Sequence, residues 1–127
     1  MLRPDDARYL DEHAIRHTVV DDPQGTHVVL HDVAPPAGLN PPTVDILVTL
    51  PPGFNDVGPD MFWCTPFVTR ADGQPIAGAD VPHDFQGRTW QRWSRHIGAS
   101  WRPGIDNLGT YIAYVRRALA QAAPEAA

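Results

Sequence analysis

Along TVDILVTL (residues 43–50), Val44, Ile46 and Val48 fall on one face and Asp45, Leu47 and Thr49 on the other. A repeat of every second residue is that of an extended strand. The preceding runs HTVVDD (17–22) and THVVLHDV (26–33) are rich in β-branched residues and meet at the turn-forming DPQG, so both read as strands. DMFWCTPFV (60–68) is a fourth, broken at Pro66, which has no N–H to give a ladder. The period changes near the C-terminus. Ile105, Leu108, Ile112, Val115 and Leu119 follow one another at helical steps and predict a helix over roughly 105–121 with that stripe against a core. Pro103 and Gly104 mark its start, Asp106 is a capping or first-turn acid, and Arg116 and Arg117 lie toward its negative end.

At the other terminus, RPDDARYLDEHAI predicts a short helix. Pro4 suits a first turn, Asp5 and Asp6 suit the positive end of the helix dipole, and Leu2, Leu10 and Ala14 form its buried side. APPAGLNPP (34–42) holds four prolines and is a loop. TRADGQPIAGADVPHDFQGR (69–88) has no periodicity and predicts a long irregular loop of the kind that carries function or moves. Helix, about four antiparallel strands, loop, helix is the order of an α+β sandwich, with a meander and both terminal helices packed on it. One domain over 1–122 with a frayed tail at 123–127 accommodates this order.

Composition narrows the classes. The net charge is −5 in 127 residues, without the basic stripe a nucleic-acid binder shows. No apolar run is long enough to span a bilayer, and the acidic start MLRPDDARYLDEH does not read as a signal peptide. A cytoplasmic protein working without nucleic acid or membrane is expected. All ten basic residues are arginine. That bias fits a GC-rich genome; it would also suit a protein that handles activated carboxyl groups and has no side-chain amine to acylate. The spacings of His13 with His17 and His27 with His31 match no metal signature, His83 falls in the long loop as a solvated residue, and no metal or cofactor is expected.

WQRWSRHIGASW (90–101) concentrates three tryptophans, two arginines and a histidine. Trp90, Trp93 and Trp101 are expected to be mostly buried, and His96 to sit near a groove lined by the 69–88 loop. Arginine beside tryptophan is also the composition of interface hot spots, which makes Arg92, Arg95 and Trp93 candidate partner-binding residues. Ser94 is a turn residue or, with His96 as base, a site of acyl transfer. That dyad needs an extended segment, because residues two apart share a face only there.

Two segments carry a resemblance. LPPGFNDVGPDMFW (50–63) is similar to the strand–loop–strand segment of ubiquitin-conjugating (E2) enzymes. Phe54 stands at its aromatic position, Pro59 at its last proline, and Met61 and Trp63 at inward positions of the next strand; Asn55 and Gly58 replace prolines. WRPGIDNL (101–108) resembles the E2 segment leading into the helix after the active site, with Trp101, Pro103 and Leu108 in register. The chain is similar above all to prokaryotic E2 family E. The resemblance implies a UBC-like or RWD-like fold and partners of two kinds, a ubiquitin-like protein and an E1-like enzyme.

The catalytic features of that resemblance are missing. The cysteine position falls at Trp93, next to Ser94, and no cysteine occurs in 65–127. No His-Pro-Asn motif follows MFWCTP. The single cysteine, Cys64, is a small buried hydrophobe or a relocated nucleophile. Three readings follow: an E2-like component that binds a ubiquitin-like protein or E1-like enzyme without the usual nucleophile; a transferase using Ser94, His96 or Cys64; or an RWD-like interaction domain unrelated to ubiquitin-like proteins.

Overall fold

The computed structural model describes residues 1–125; of the tail expected to fray, residues 126 and 127 lie outside the described residues. The elements are α1 (Pro4–Glu12), β1 (His17–Asp22), β2 (Gly25–Val33), β3 (Leu39–Asn40), β4 (Val44–Leu50), β5 (Phe62–Thr65), β6 (Thr69–Arg70), β7 (Val81–Phe85), β8 (Arg88–Trp93), a short 3-10 turn (Gly98–Ser100) and α2 (Leu108–Ala122). The fold is α+β, as the periodicities predict. The sheet, however, has six antiparallel strands in the order β1-β2-β4-β5-β8-β7, not four, and β3 and β6 pair separately.

The two additional strands come from the segment expected to be a long loop. Gln86 and Gly87, both at positive φ (52° and 73°), close a two-residue hairpin turn of the primed kind, whose twist matches that of the strands it joins. Pro82 is tolerated because β7 is the sheet edge. His83 therefore lies on a strand, exposed, with its ring 5.5 Å from that of Trp63.

Register sorts the side chains. Val28, Val48, Phe62 and Trp93 align across four strands, with Leu30, Ile46, Cys64 and Gln91 in the next row. This face carries the main core, to which α1 contributes Leu10 and α2 contributes Leu108, Tyr111, Ile112, Val115, Ala118 and Leu119. Val29, Leu47 and Trp90 form a smaller cluster with Trp63 and Phe85. In β5 the inward residues are Phe62 and Cys64, not Met61 and Trp63. A shift of one position moves a side chain to the opposite face.

Both helices depart in detail from the expected boundaries. Ala14 lies beyond α1, at positive φ and exposed, and Asp6 shares the buried side with Leu10. Helix α2 starts at Leu108. Its cap is Asn107, whose side chain accepts from the Thr110 N–H while the Thr110 hydroxyl accepts from the Asn107 N–H, a reciprocal capping box. Asp106 instead holds Arg102, 2.8 Å from both its N–H and its Nη2. Asp6 reaches across from α1 and accepts from the Leu108 N–H at 3.1 Å, supplying negative charge to the positive end of α2. A Cβ on Gly109 would come within 2.7 Å of the Tyr9 ring, so glycine permits this close helix contact. Because the helix begins late, Ile105 is 65% exposed while Ile112 is 3% exposed.

Ile112→Ala is expected to destabilise the protein by about 2–5 kcal/mol in denaturant unfolding. Ile105→Ala should stay within about 0.5 kcal/mol of the parent. Equal effects would overturn this placement of the α2 start.

Candidate functional site

The two segments that resemble E2 enzymes pack against each other. The turn-rich loop 51–61 leaves β4 and returns to β5, and the segment 94–107 runs from β8 to α2. Trp101 joins them. Its indole N–H donates to the Asn55 carbonyl at 2.9 Å, and the Gly104 N–H donates to the same oxygen at 3.2 Å. The Asn55 side-chain amide donates to the Asp106 carbonyl at 2.8 Å. Phe54 and Tyr111 flank the indole at ring distances of 5.5 and 6.5 Å. The two departures from the E2 pattern are explained by this contact. Asn55 supplies an amide that proline lacks, and a Cβ on Gly58 would lie 2.6 Å from the Trp101 ring.

Beside this clamp opens a shallow groove of about 500 Å³, bounded by Asp56, Gly58, Pro59 and Asp60 on one side and His96–Ala99, Trp101 and Pro103 on the other. His96 lines it, as expected for a groove residue, but the walls come from loop 51–61 and the 97–103 segment rather than from residues 69–88. His96 Nδ1 is 2.6 Å from Asp60 Oδ1, with both side chains more than half exposed. A carboxylate-oriented imidazole is a recognised arrangement for a general base. Ser94 does not complete it. Its N–H donates to the Gly78 carbonyl at 2.9 Å, and among the described residues its hydroxyl has no hydrogen bond to His96. The chain turns at Ser94–Arg95, where the Arg95 N–H donates to the Trp93 carbonyl, so the extended geometry needed for a Ser94–His96 dyad is absent.

The candidate partner-binding residues separate in the same way. Trp93 is 0% exposed and stacks on Phe62 at 5.4 Å, so it offers no contact surface. Trp90 fills the smaller cluster and Trp101 the clamp, and all three tryptophans of the 90–101 stretch are buried. Arg92 aligns with Trp63 and Val81 on the face of the sheet opposite the main core, with its Nε buried and unpartnered among the described residues. Arg95 lies on the α2 side, its guanidinium 5.1 Å over the Trp93 ring. The two arginines thus serve different surfaces.

Cys64 is 0% exposed in the middle of β5. Burial pushes its thiol well above the usual cysteine range, the reverse of what activates a nucleophile.

Further histidine contacts went unread in the sequence because strand register creates them. His31 lies between Asp45 (Nδ1 to Oδ2, 3.0 Å) and the Thr18 hydroxyl (Nε2, 2.7 Å), and Arg88 reaches the same Asp45 oxygen at 2.8 Å. Desolvation raises the Asp45 pKa, but Arg88, the Asp32 N–H and His31 outweigh it and hold the carboxyl below its ordinary range. This chain of contacts runs across the sheet from Thr18 on β1 to Arg88 on β8. On the same face His27 Nδ1 bonds the Thr49 hydroxyl at 2.9 Å, and its Nε2 lies 2.8 Å from an Asp22 carboxylate oxygen.

The family model described as prokaryotic E2 family E matches residues 2–122. The chain belongs to that family. No curated protein and no solved structure matches it. Among the described residues no helix is long and apolar enough to cross a membrane.

Two measurements check this site. Gly58→Ala should lower stability by about 1–3 kcal/mol, because a rigid indole and not a flexible side chain meets the new methyl; an unchanged unfolding midpoint would mean that Trp101 does not rest there. Cys64 should react slowly with a thiol reagent in the native protein and rapidly after unfolding. Fast native labelling would contradict its burial.

Proposed function

We propose that this family E protein is an E2-like binding component of a ubiquitin-like protein conjugation or assembly pathway, working without the usual cysteine nucleophile. It engages a ubiquitin-like protein, an E1-like enzyme or both, in the cytoplasm. One observation carries this reading. The E2-like clamp of Trp101, Asn55 and Asp106 is assembled, while the segment leading to it has no cysteine and the one thiol is sealed in the core. A surface maintained without its nucleophile suits recognition rather than transfer. Arg95 and Arg92 are the proposed contact residues, one on each side of the sheet.

A second reading rests on His96 and Asp60. Their 2.6 Å contact beside the groove would orient a base for transfer of an acyl group to a hydroxyl, Ser94 being the nearest in sequence, if the 94–96 turn extends on binding.

Incubation with the cognate E1-like enzyme, ATP and the ubiquitin-like protein separates the two. The binding reading expects a non-covalent complex and no adduct on this chain, and Cys64→Ala should bind as the parent does. Because the chain has no lysine, an alkali-labile adduct would sit on a hydroxyl. Such an adduct, abolished by Ser94→Ala, would make the protein a transferase. Arg95→Ala or Arg92→Ala should weaken the complex by about 2 kcal/mol where that face is used; unchanged affinity in both variants would remove these two residues from the interface.

A further inference from the structure

We propose that the groove between α2 and residues 95–106 is a docking site for an extended, acidic segment of a partner protein. The groove has a volume of about 460 Å³. Its α2 wall runs from Thr110 to Gln121, which at ~1.5 Å per residue is about 16 Å, the length of about five extended residues.

Three arginines and one aspartate line it: Arg95, Arg102 and Arg117 against Asp106. Arg102 is held by Asp106 at 2.8 Å. Among the described residues neither Arg95 nor Arg117 has a carboxylate within ion-pairing distance. Both act on one hydroxyl. Burial raises the Tyr114 phenol, and the Arg95 and Arg117 charges each pull it back. Two like charges therefore face a shared concave space whose one lining carboxylate, Asp106, is already held by Arg102, in a chain whose net charge is −5.

The site is also partly ordered in advance. Arg95 rests on the Trp93 ring at 5.1 Å and lies beside Gly78, where an added Cβ would be 3.0 Å from its Nη1. A guanidinium already seated loses less freedom on binding than a free one, and its planar fork suits carboxylates. Ile97, Ala113 and Ala118 give the groove an apolar strip, while Ser100 and Gln121 offer polar partners for a peptide backbone. This combination of apolar strip, polar side chains and paired guanidiniums fits a peptide whose acidic and apolar side chains alternate.

The inference deepens the binding role proposed above and rests on it. Its test uses neither a ubiquitin-like protein nor an E1-like enzyme, so either proposal fails on its own result. Fluorescence anisotropy would compare a short labelled peptide alternating glutamate and leucine with one alternating glutamine and leucine. The glutamate peptide should bind at least about tenfold more tightly, and Arg117→Glu should remove that advantage while leaving the thermal melt unchanged. Arg116→Glu is the control. It makes the same change in net charge, but Arg116 lines a different cavity, beside Ile15 and Val33, and should leave the affinity unaltered. Equal binding of the two peptides, or equal weakening by the two charge reversals, would overturn the site. Displacement of the peptide by inorganic phosphate at equal concentration would reduce it to a simple anion site and overturn the peptide assignment.

Discussion

The side-chain amide of Gln91 holds together the half of the molecule that carries the candidate site. It is 3% exposed, and all four of its polar contacts are made within the protein. The carbonyl accepts from the Val68 N–H at 2.8 Å and the Trp93 indole N–H at 3.0 Å; the amide donates to the Val68 and Ala79 carbonyls, both at 2.9 Å. A buried amide left half-satisfied costs about 1–3 kcal/mol per orphaned group, whereas a completed set gives a unique geometry. Here the set ties the irregular chain on both sides of residues 69–78 to strand β8. It also orients Trp93 against Phe62. The direction in which the chain leaves β8, and so the positions of Arg95 and His96, depend on it.

A second constraint acts farther along. Trp101, Asn55 and Asp106 connect the loop after β4 to the approach to α2, and Asp6 joins α1 to the start of the same helix. Each contact satisfies backbone groups that would otherwise be orphaned at a helix start or in a tight turn. Loop, turn and helix are thus one unit, with the His96 groove on one side and the arginine-lined groove on the other. The tryptophans supply rigidity from within, and the arginines and histidine are the groups presented outward.

Much of this was legible in the sequence. Strands β1, β2 and β4 were visible because β-branched residues and alternation specify a half-buried strand locally, and α2 was visible from its stripe. The family resemblance was legible because Phe54, Pro59, Trp101, Pro103 and Leu108 keep their order and spacing. The burial of Cys64 was legible too, since one cysteine among aromatic residues favours burial. The hairpin of β7 and β8 was not: Gln-Gly is a weak turn signal, Pro82 argues against a strand, and β7 is almost wholly exposed, so no alternation marks it.

By itself, then, the sequence determined the α+β class, the family and the absence of any cysteine from residues 65–127, because periodicity, motif order and residue identity are properties of the chain alone. Only the tertiary structure decided which residues share a surface. Register sent Arg92 and Arg95 to opposite sides, buried Trp93, paired His96 with Asp60 instead of Ser94, and left Arg95 and Arg117 facing one groove from segments that sequence order does not link. Those outcomes turn on a one-residue alternation of faces and on contacts between distant segments, and neither is encoded in any local window of the chain.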